Sequence, residues 1–521
     1  MKGFRFTSVF FLLGLFCNIV FASADSNRMF IRMNIEIDSS QVRLIRASVY
    51  SGEIQQSRLA IEHRTDPLLF RVMSNTNKIV FEDTLQDPRT LFFDEPDLSG
   101  RLHGGMIQNT KGVATVVIPF SKNTHKVDFY HRSLGSEDER ALQPQHLESL
   151  GSIALNEIKS SMSMERRRRS EAPVNIQKTG KPENRIDIVF LAEGFKGSER
   201  ATFLTVVRRV VDSWKLLFPW SEYFRLLNIY AVPLVSADSG ADRPGVNKNT
   251  ALDSIYGCFD IPRLICIDYD KAFAEASESV PQFDFAIAVV NDPEYGGSGG
   301  PVAVFSINID AQQIFFHEFA HTFASLADEY DAENPNPPPF TESLYPNVSK
   351  IKNRDTVKWN NWILQDTPVP TPSTMPDVIG IFLGAFFHPT EFVRPKADCL
   401  MRTLGAPFDS VCAEAHLLKA FEHVSFIDKP QPASTNVVLS RNQSRLFKVK
   451  PVPIPIVRFE FEWFVDGIFQ TSGVDKFTLR GSDLLAGNHE VTVYLRDNTP
   501  FVKTDPHQLK RDSFTWNVTV R

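Results

Sequence analysis

Cysteine is scarce in this chain, 5 among 521 residues, too few for a disulfide scaffold to stand in for a hydrophobic core. Beyond the N-terminus no apolar run reaches the about 20 residues that span a bilayer as a helix. Positive charge is not in excess either. Lys+Arg 56 against Asp+Glu 62 leaves a formal charge of -6, which excludes the basic face of a nucleic-acid binder. No glycine pattern of a dinucleotide-binding turn is present, and the one glycine run lacks the Gly-Lys-Ser/Thr ending of a phosphate loop. What is there is an ordinary globular composition, 42% hydrophobic and 23% charged, with Phe 43 pointing to aromatic cores. At roughly 150 residues per domain the chain holds about three or four units.

Met1-Lys2-Gly3-Phe4-Arg5 opens the chain with positive charge, an apolar run follows over 9–21, and Ala22-Ser23-Ala24 offers small residues for cleavage. This pattern is that of a signal peptide over 1–24, so the mature protein is expected to be secreted, periplasmic or at the cell surface. Cys17 leaves with the signal. The remaining cysteines form two close pairs, Cys258 with Cys266 and Cys399 with Cys412. Loops this short close readily, so both pairs are expected as disulfides. Zinc binding by these cysteines is the rival reading, but none stand two residues apart as in common zinc motifs. The sequons at Asn347, Asn442 and Asn517 matter only in a host that glycosylates.

Period-two runs such as Met29-Phe30-Ile31-Arg32-Met33-Asn34-Ile35 predict a β-sandwich over 25–150. A polar stretch over 151–183, containing Arg166-Arg167-Arg168-Arg169, reads as a linker; the arginines are either solvated charge or a processing site. From 184 to 428, buried-strand runs such as Ile186-Asp187-Ile188-Val189-Phe190-Leu191 alternate with helical spacing, which predicts an α/β unit. Alternation returns over 429–521 with an Asp466-Gly467 turn, the profile of an immunoglobulin-like sandwich.

The chemistry concentrates in His317-Glu318-Phe319-Ala320-His321. On a helix, positions four apart share a face, so both imidazoles can meet one cation while Glu318 reaches a water beside it. Chance composition yields about 0.03 such pentapeptides in the chain. A catalytic zinc needs a third protein ligand and one open position. Asp328 stands seven residues past His321, about 10 Å along an unbroken helix, so the helix must end between them. Asp328 is the first choice for the third ligand, Glu329 the second and Glu342 the third. Tyr330 is either an oxyanion donor or a packed aromatic. The glycines over 296–300 either form a loop or let a peptide approach an edge strand over 302–307. His388, in Phe386-Phe387-His388-Pro389, reads as structural.

The segment His317-Glu318-Phe319-Ala320-His321-Thr322-Phe323-Ala324-Ser325-Leu326-Ala327-Asp328-Glu329-Tyr330 resembles the signature of the IgA-peptidase family of zinc metallopeptidases. Ile188-Val189-Phe190-Leu191-Ala192-Glu193-Gly194-Phe195 is similar to the family's opening strand. Tyr295-Gly296-Gly297-Ser298-Gly299-Gly300 is similar to its glycine-rich approach, and Arg394-Pro395 with Cys399-Leu400-Met401-Arg402 to its later block. Cys399-Leu400-Met401 also resembles the methionine turn of metzincins, which makes Met401 a structural floor under the zinc. Two positions depart from the metzincin pattern: Ala324 replaces the helix-ending glycine, and Ala327 stands where the third ligand is expected, one before Asp328.

The resemblance covers about 186–420 and implies a metzincin-like metallopeptidase domain, and the N-terminal β region resembles the domain that often precedes it; the C-terminal sandwich that completes the expected architecture falls outside the resemblance. The resemblance also implies one Zn2+ on His317, His321 and Asp328, with Glu318 as general base on a protein or peptide substrate. No transmembrane segment is expected after signal cleavage, and the C-terminal β domain offers a contact for a surface or glycan. The alternative is a non-catalytic surface binding protein stabilised by the metal, which intact Glu318 disfavours.

Overall fold

A computed structural model describes residues 29–121, 123–132, 147–161, 172–331, 339–455 and 459–521. The expected signal peptide and the Arg166–Arg169 run lie outside the described residues. Among those described, no helix is long and apolar enough to cross a membrane. The architecture is mixed: many β-sheets and few helices.

The N-terminal region packs two antiparallel sheets. Met29–Asp38 pairs with Val42–Ser51 on one side and Lys111–Pro119 on the other. Leu68–Ser74 and Thr124–Arg132 form the centre of the second sheet. Alternating residues such as Ile31, Met33, Ile35, Val116 and Phe129 fill the core between them. A separate hairpin, Thr90–Pro96 with Leu102–Gln108, joins neither of these sheets.

The stretch expected to be a linker carries structure instead. Leu147–Ala154 adds a strand to the second sheet, Leu155–Ser161 is a helix, and Val174–Gln177 edges the central sheet. Leu150, Ile153 and Ile158 anchor the first two in the N-terminal core. Three apolar residues among serines and charges are too thin a pattern for periodicity to register.

The central sheet runs in the order Val174–Gln177, Leu227–Val232, Ile186–Glu193, Phe285–Val290, Ala303–Ser306, Gly297–Ser298. The four inner strands are parallel and both edges antiparallel. Ile186–Glu193 is buried along its whole length, as a parallel strand covered on both faces must be. The helix Ala311–Ala324 packs on Ala303–Ser306 and against the helices Arg200–Trp214 and Ser410–His423. Trp214 fixes it, meeting Phe315 and Phe319 edge-on at 5.1 Å.

The C-terminal region is again two sheets. Trp516 of one meets Phe447 of the other at 5.1 Å. It is tied to the central unit by Arg185, whose guanidinium is fully buried and grips Asp428 at 2.7 and 2.8 Å. Asp428→Ala leaves that charge uncompensated. We expect a loss of about 3 kcal/mol, read as a lower urea midpoint.

Candidate functional site

The helix Ala311–Ala324 is apolar nearly all round, with every residue from Ile314 to Ala324 buried. His317, Glu318 and His321 are therefore polar groups inside a core, at 1%, 1% and 2% exposure. Such groups persist only where partners compensate their desolvation. His317 Nδ1 donates to Leu400 O at 3.1 Å and His321 Nδ1 to Leu326 O at 2.7 Å. Holding the proton on Nδ1 leaves a lone pair on each Nε2, and these face one another at 3.1 Å. Two acceptors that close call for a cation between them.

Carboxylates complete the group. The helix ends at Ala324, and Ser325 takes the left-handed conformation at φ 52°, ψ 34°. The chain then turns back as the seven-residue gap required, and Asp328 Oδ1 comes within 3.3 Å of His317 Nε2 and 3.4 Å of His321 Nε2. The left-handed turn sits at Ser325, and Asp328 follows it by three residues.

A fourth donor comes from the N-terminal region. Asp94 Oδ2 lies 2.7 Å from His317 Nε2, and Tyr330 Oη donates to Asp94 Oδ1 at 2.7 Å. Asp94, His317, His321 and Asp328 form one buried group able to hold a metal ion. Asp94 Oδ2, both Asp328 carboxylate oxygens and Glu318 Oε2 have no hydrogen-bond partner among the described residues. Orphaned buried oxygens beside two imidazole lone pairs fit a divalent cation bound through nitrogen and oxygen.

Titration follows from the same crowding. Burial, then the charge of Asp94, raises Glu318 well above the usual carboxylate range. For Asp328 burial opposes ionisation, and the two imidazoles prevail, lowering it.

The competing acids are engaged elsewhere. Glu329 accepts from Asn347 Nδ2 at 2.9 Å and from the Cys412 thiol at 3.2 Å. Burial and the neighbouring Asp409 push it up to about 8. Glu342 accepts from Ser349 Oγ at 2.5 Å and meets Lys358 at 3.1 Å. His388 lies 3.7 Å from Glu391, outside the group. Tyr330 is fully buried, packed on Phe387 and spending its hydroxyl on Asp94.

Cys258 and Cys266 are bridged as expected. The second expected bridge is not made. Cys399 and Cys412 are buried thiols with sulfurs 3.5 Å apart, and the Cys412 thiol donates to Glu329. With Glu329 and Asp409 they form a second buried group of metal-ligand type. Met401, two residues on from Cys399, is fully buried, and its carbonyl accepts from Glu329 N at 2.8 Å. The segment Cys399-Leu400-Met401 thus grips both His317 and the residue after Asp328.

The glycine run is itself the sheet edge, which corrects the expectation of an edge over 302–307. Gly297–Ser298 is outermost, and Ala303–Ser306 lies one strand inside. Close approach to the helix explains the glycines. A Cβ on Gly297 would come 2.8 Å from Glu318 Oε1, and one on Gly299 2.8 Å from His321 Cβ. Gly299→Ala should therefore push on His321. We expect destabilisation of about 1–3 kcal/mol, measured by thermal unfolding.

Sequence reasoning did not find Asp94. It lies 223 residues before His317, with no motif around it. The available signal was its phase: Asp94 shares a strand face with Phe92, and both are buried.

Residues 174–375 match the model of the family described as IgA Peptidase M64. The match runs from the edge strand Val174–Gln177 through the helix Ala311–Ala324 and stops before Cys399. No curated protein matches the chain. Among solved structures, fibronectin(III)-like modules of Clostridium thermocellum CbhA align at 16% identity with a TM-score of 0.14. That alignment covers 18% of this chain and 45% of the other, so this chain spans less than half of that structure.

Proposed function

This chain belongs to the IgA peptidase family through residues 174–375, and from that premise we propose that it is a secreted, zinc-dependent endopeptidase. The observation that carries the reading is the pair of histidine Nε2 atoms 3.1 Å apart with Asp328 beside both. His317, His321 and Asp328 would hold the ion, and Met401 would floor the site in a metzincin-like core. The catalytic unit would lie between an N-terminal β-sandwich that extends to the helix Leu155–Ser161 and a C-terminal immunoglobulin-like unit that would contact a surface or glycan.

Bound zinc supplies a Lewis acid that polarises the scissile carbonyl and makes a water acidic enough to attack near neutral pH. The chain's own groups do the rest. Glu318 follows the first histidine, and its Oε2 is unpartnered and buried, suited to take the proton of the attacking water. Once it holds that proton, the same carboxyl can pass it to the leaving amine. Leu400 and Leu326 carbonyls keep both imidazoles aimed while this happens. The backbone N–H and C=O of Gly299, which pair with Phe92, are the groups an extended protein or peptide substrate would meet in its place.

Metal analysis of the purified chain tests the reading. One zinc per chain, lost in His317→Ala and His321→Ala, is expected. A metal-free wild type that still cleaves casein would refute it.

A further inference from the structure

A catalytic zinc keeps three protein ligands and one open position, whereas four protein ligands close the site. This site has four candidates, and the fourth arrives from another region of the chain. Asp94 sits in the hairpin strand Thr90–Pro96, with its side chain fully buried and 2.7 Å from His317 Nε2.

The same strand occupies the groove where a peptide would lie. Phe92 N donates to Gly299 O at 3.0 Å, and Gly299 N donates to Phe92 O at 3.2 Å. That antiparallel bridge is the contact an extended substrate would make with the sheet edge. Two residues earlier than Asp94 and on the same face, the Phe92 ring stacks on His321 with centroids 3.9 Å apart. The far side of the hairpin is held as well. Leu102 N donates to Arg402 O at 3.0 Å, Leu404 N to Gly100 O at 2.8 Å, and Arg101 pairs with Asp331 at 2.7 Å. The hairpin therefore bridges the glycine edge and the segment following Met401, with the metal ligands beneath it.

Two features distinguish a cover from a permanent wall. The hairpin is a two-stranded sheet of its own, so moving it breaks no ladder of the N-terminal sheets. And with the hairpin seated no candidate ligand is more than 2% exposed.

From these contacts we propose that Asp94 is a fourth metal ligand carried by the hairpin Thr90–Gln108, which lies in the peptide groove as a substrate mimic and keeps the chain latent. The inference rests on the metallopeptidase reading above. Displacing the hairpin frees one ligand position and the edge of Gly299 together, so opening the metal site and opening the substrate groove are one event. Latency of this kind weakens any ligand's apparent affinity by the fraction of chains with the hairpin displaced.

The full chain loaded with Co2+ provides the test, with acetohydroxamate, a small metal-binding probe, followed by the visible absorption of the cobalt. Wild type is expected to resist the probe. Asp94→Asn should bind it at least about tenfold more tightly and should cleave casein faster by a similar factor. Should Asp94→Asn fold poorly, the double variant Phe92→Ala/Arg101→Glu keeps all four candidate ligands and loosens only the hairpin; it is expected to bind the probe more tightly than wild type too. Cobalt uptake with equal probe affinity in wild type and variants would overturn the latency and leave the metallopeptidase reading standing. No cobalt uptake in any of the proteins would overturn both.

Discussion

Glu318→Gln is expected to lower peptide hydrolysis by about 10³-fold while leaving one zinc per chain. The amide keeps the size of the carboxylate and its place in the core but cannot accept the proton of an attacking water. Because the seated hairpin would suppress activity in wild type, the comparison should be made in both the wild-type and Asp94→Ala backgrounds. Quenched fluorescent casein reads the activity and elemental analysis reads the metal. Loss of zinc along with activity would assign Glu318 to metal binding. Retained hydrolysis would remove it from the mechanism.

The second large effect separates the acids around the site. Asp328→Ala should weaken zinc binding by more than about 100-fold, since its carboxylate is the one that approaches both histidines, at 3.3 and 3.4 Å. Glu329→Gln should leave the stoichiometry at one, because Glu329 turns away toward Asn347 and Cys412. Competition with a chromophoric chelator measures both. A Glu329→Gln protein that loses zinc while Asp328→Ala keeps it would invert the assignment. Asp94→Ala is expected to lie between them, removing one ligand of four but leaving the three that a catalytic site retains.

Much of the site was legible because its signals are local. Two histidines four apart on a helix define a face, and the seven-residue gap to Asp328 already demanded the turn found at Ser325. The central strands were legible for a similar reason: Ile186–Glu193 is buried throughout, and a continuous apolar run announces that. Long-range contributions were not legible. Asp94 reaches His317 through tertiary packing of a strand whose own sequence carries only alternation. The packing of Glu329 and Asp409 beside Cys399 and Cys412 is likewise tertiary and not encoded in spacing. The edge position of the glycines also follows from the fold, since only the packed helix reveals that a Cβ at Gly297 or Gly299 has no room.

A metal held by His317, His321 and Asp328 is expected to support peptide hydrolysis. Casein digestion by the full chain and its Asp94→Ala variant, stripped with 1,10-phenanthroline and then resupplied with zinc, tests it most directly. Cleavage should disappear on stripping and return with zinc, most clearly in the variant. Undiminished cleavage by the stripped proteins, or none by either protein with zinc restored, would contradict it.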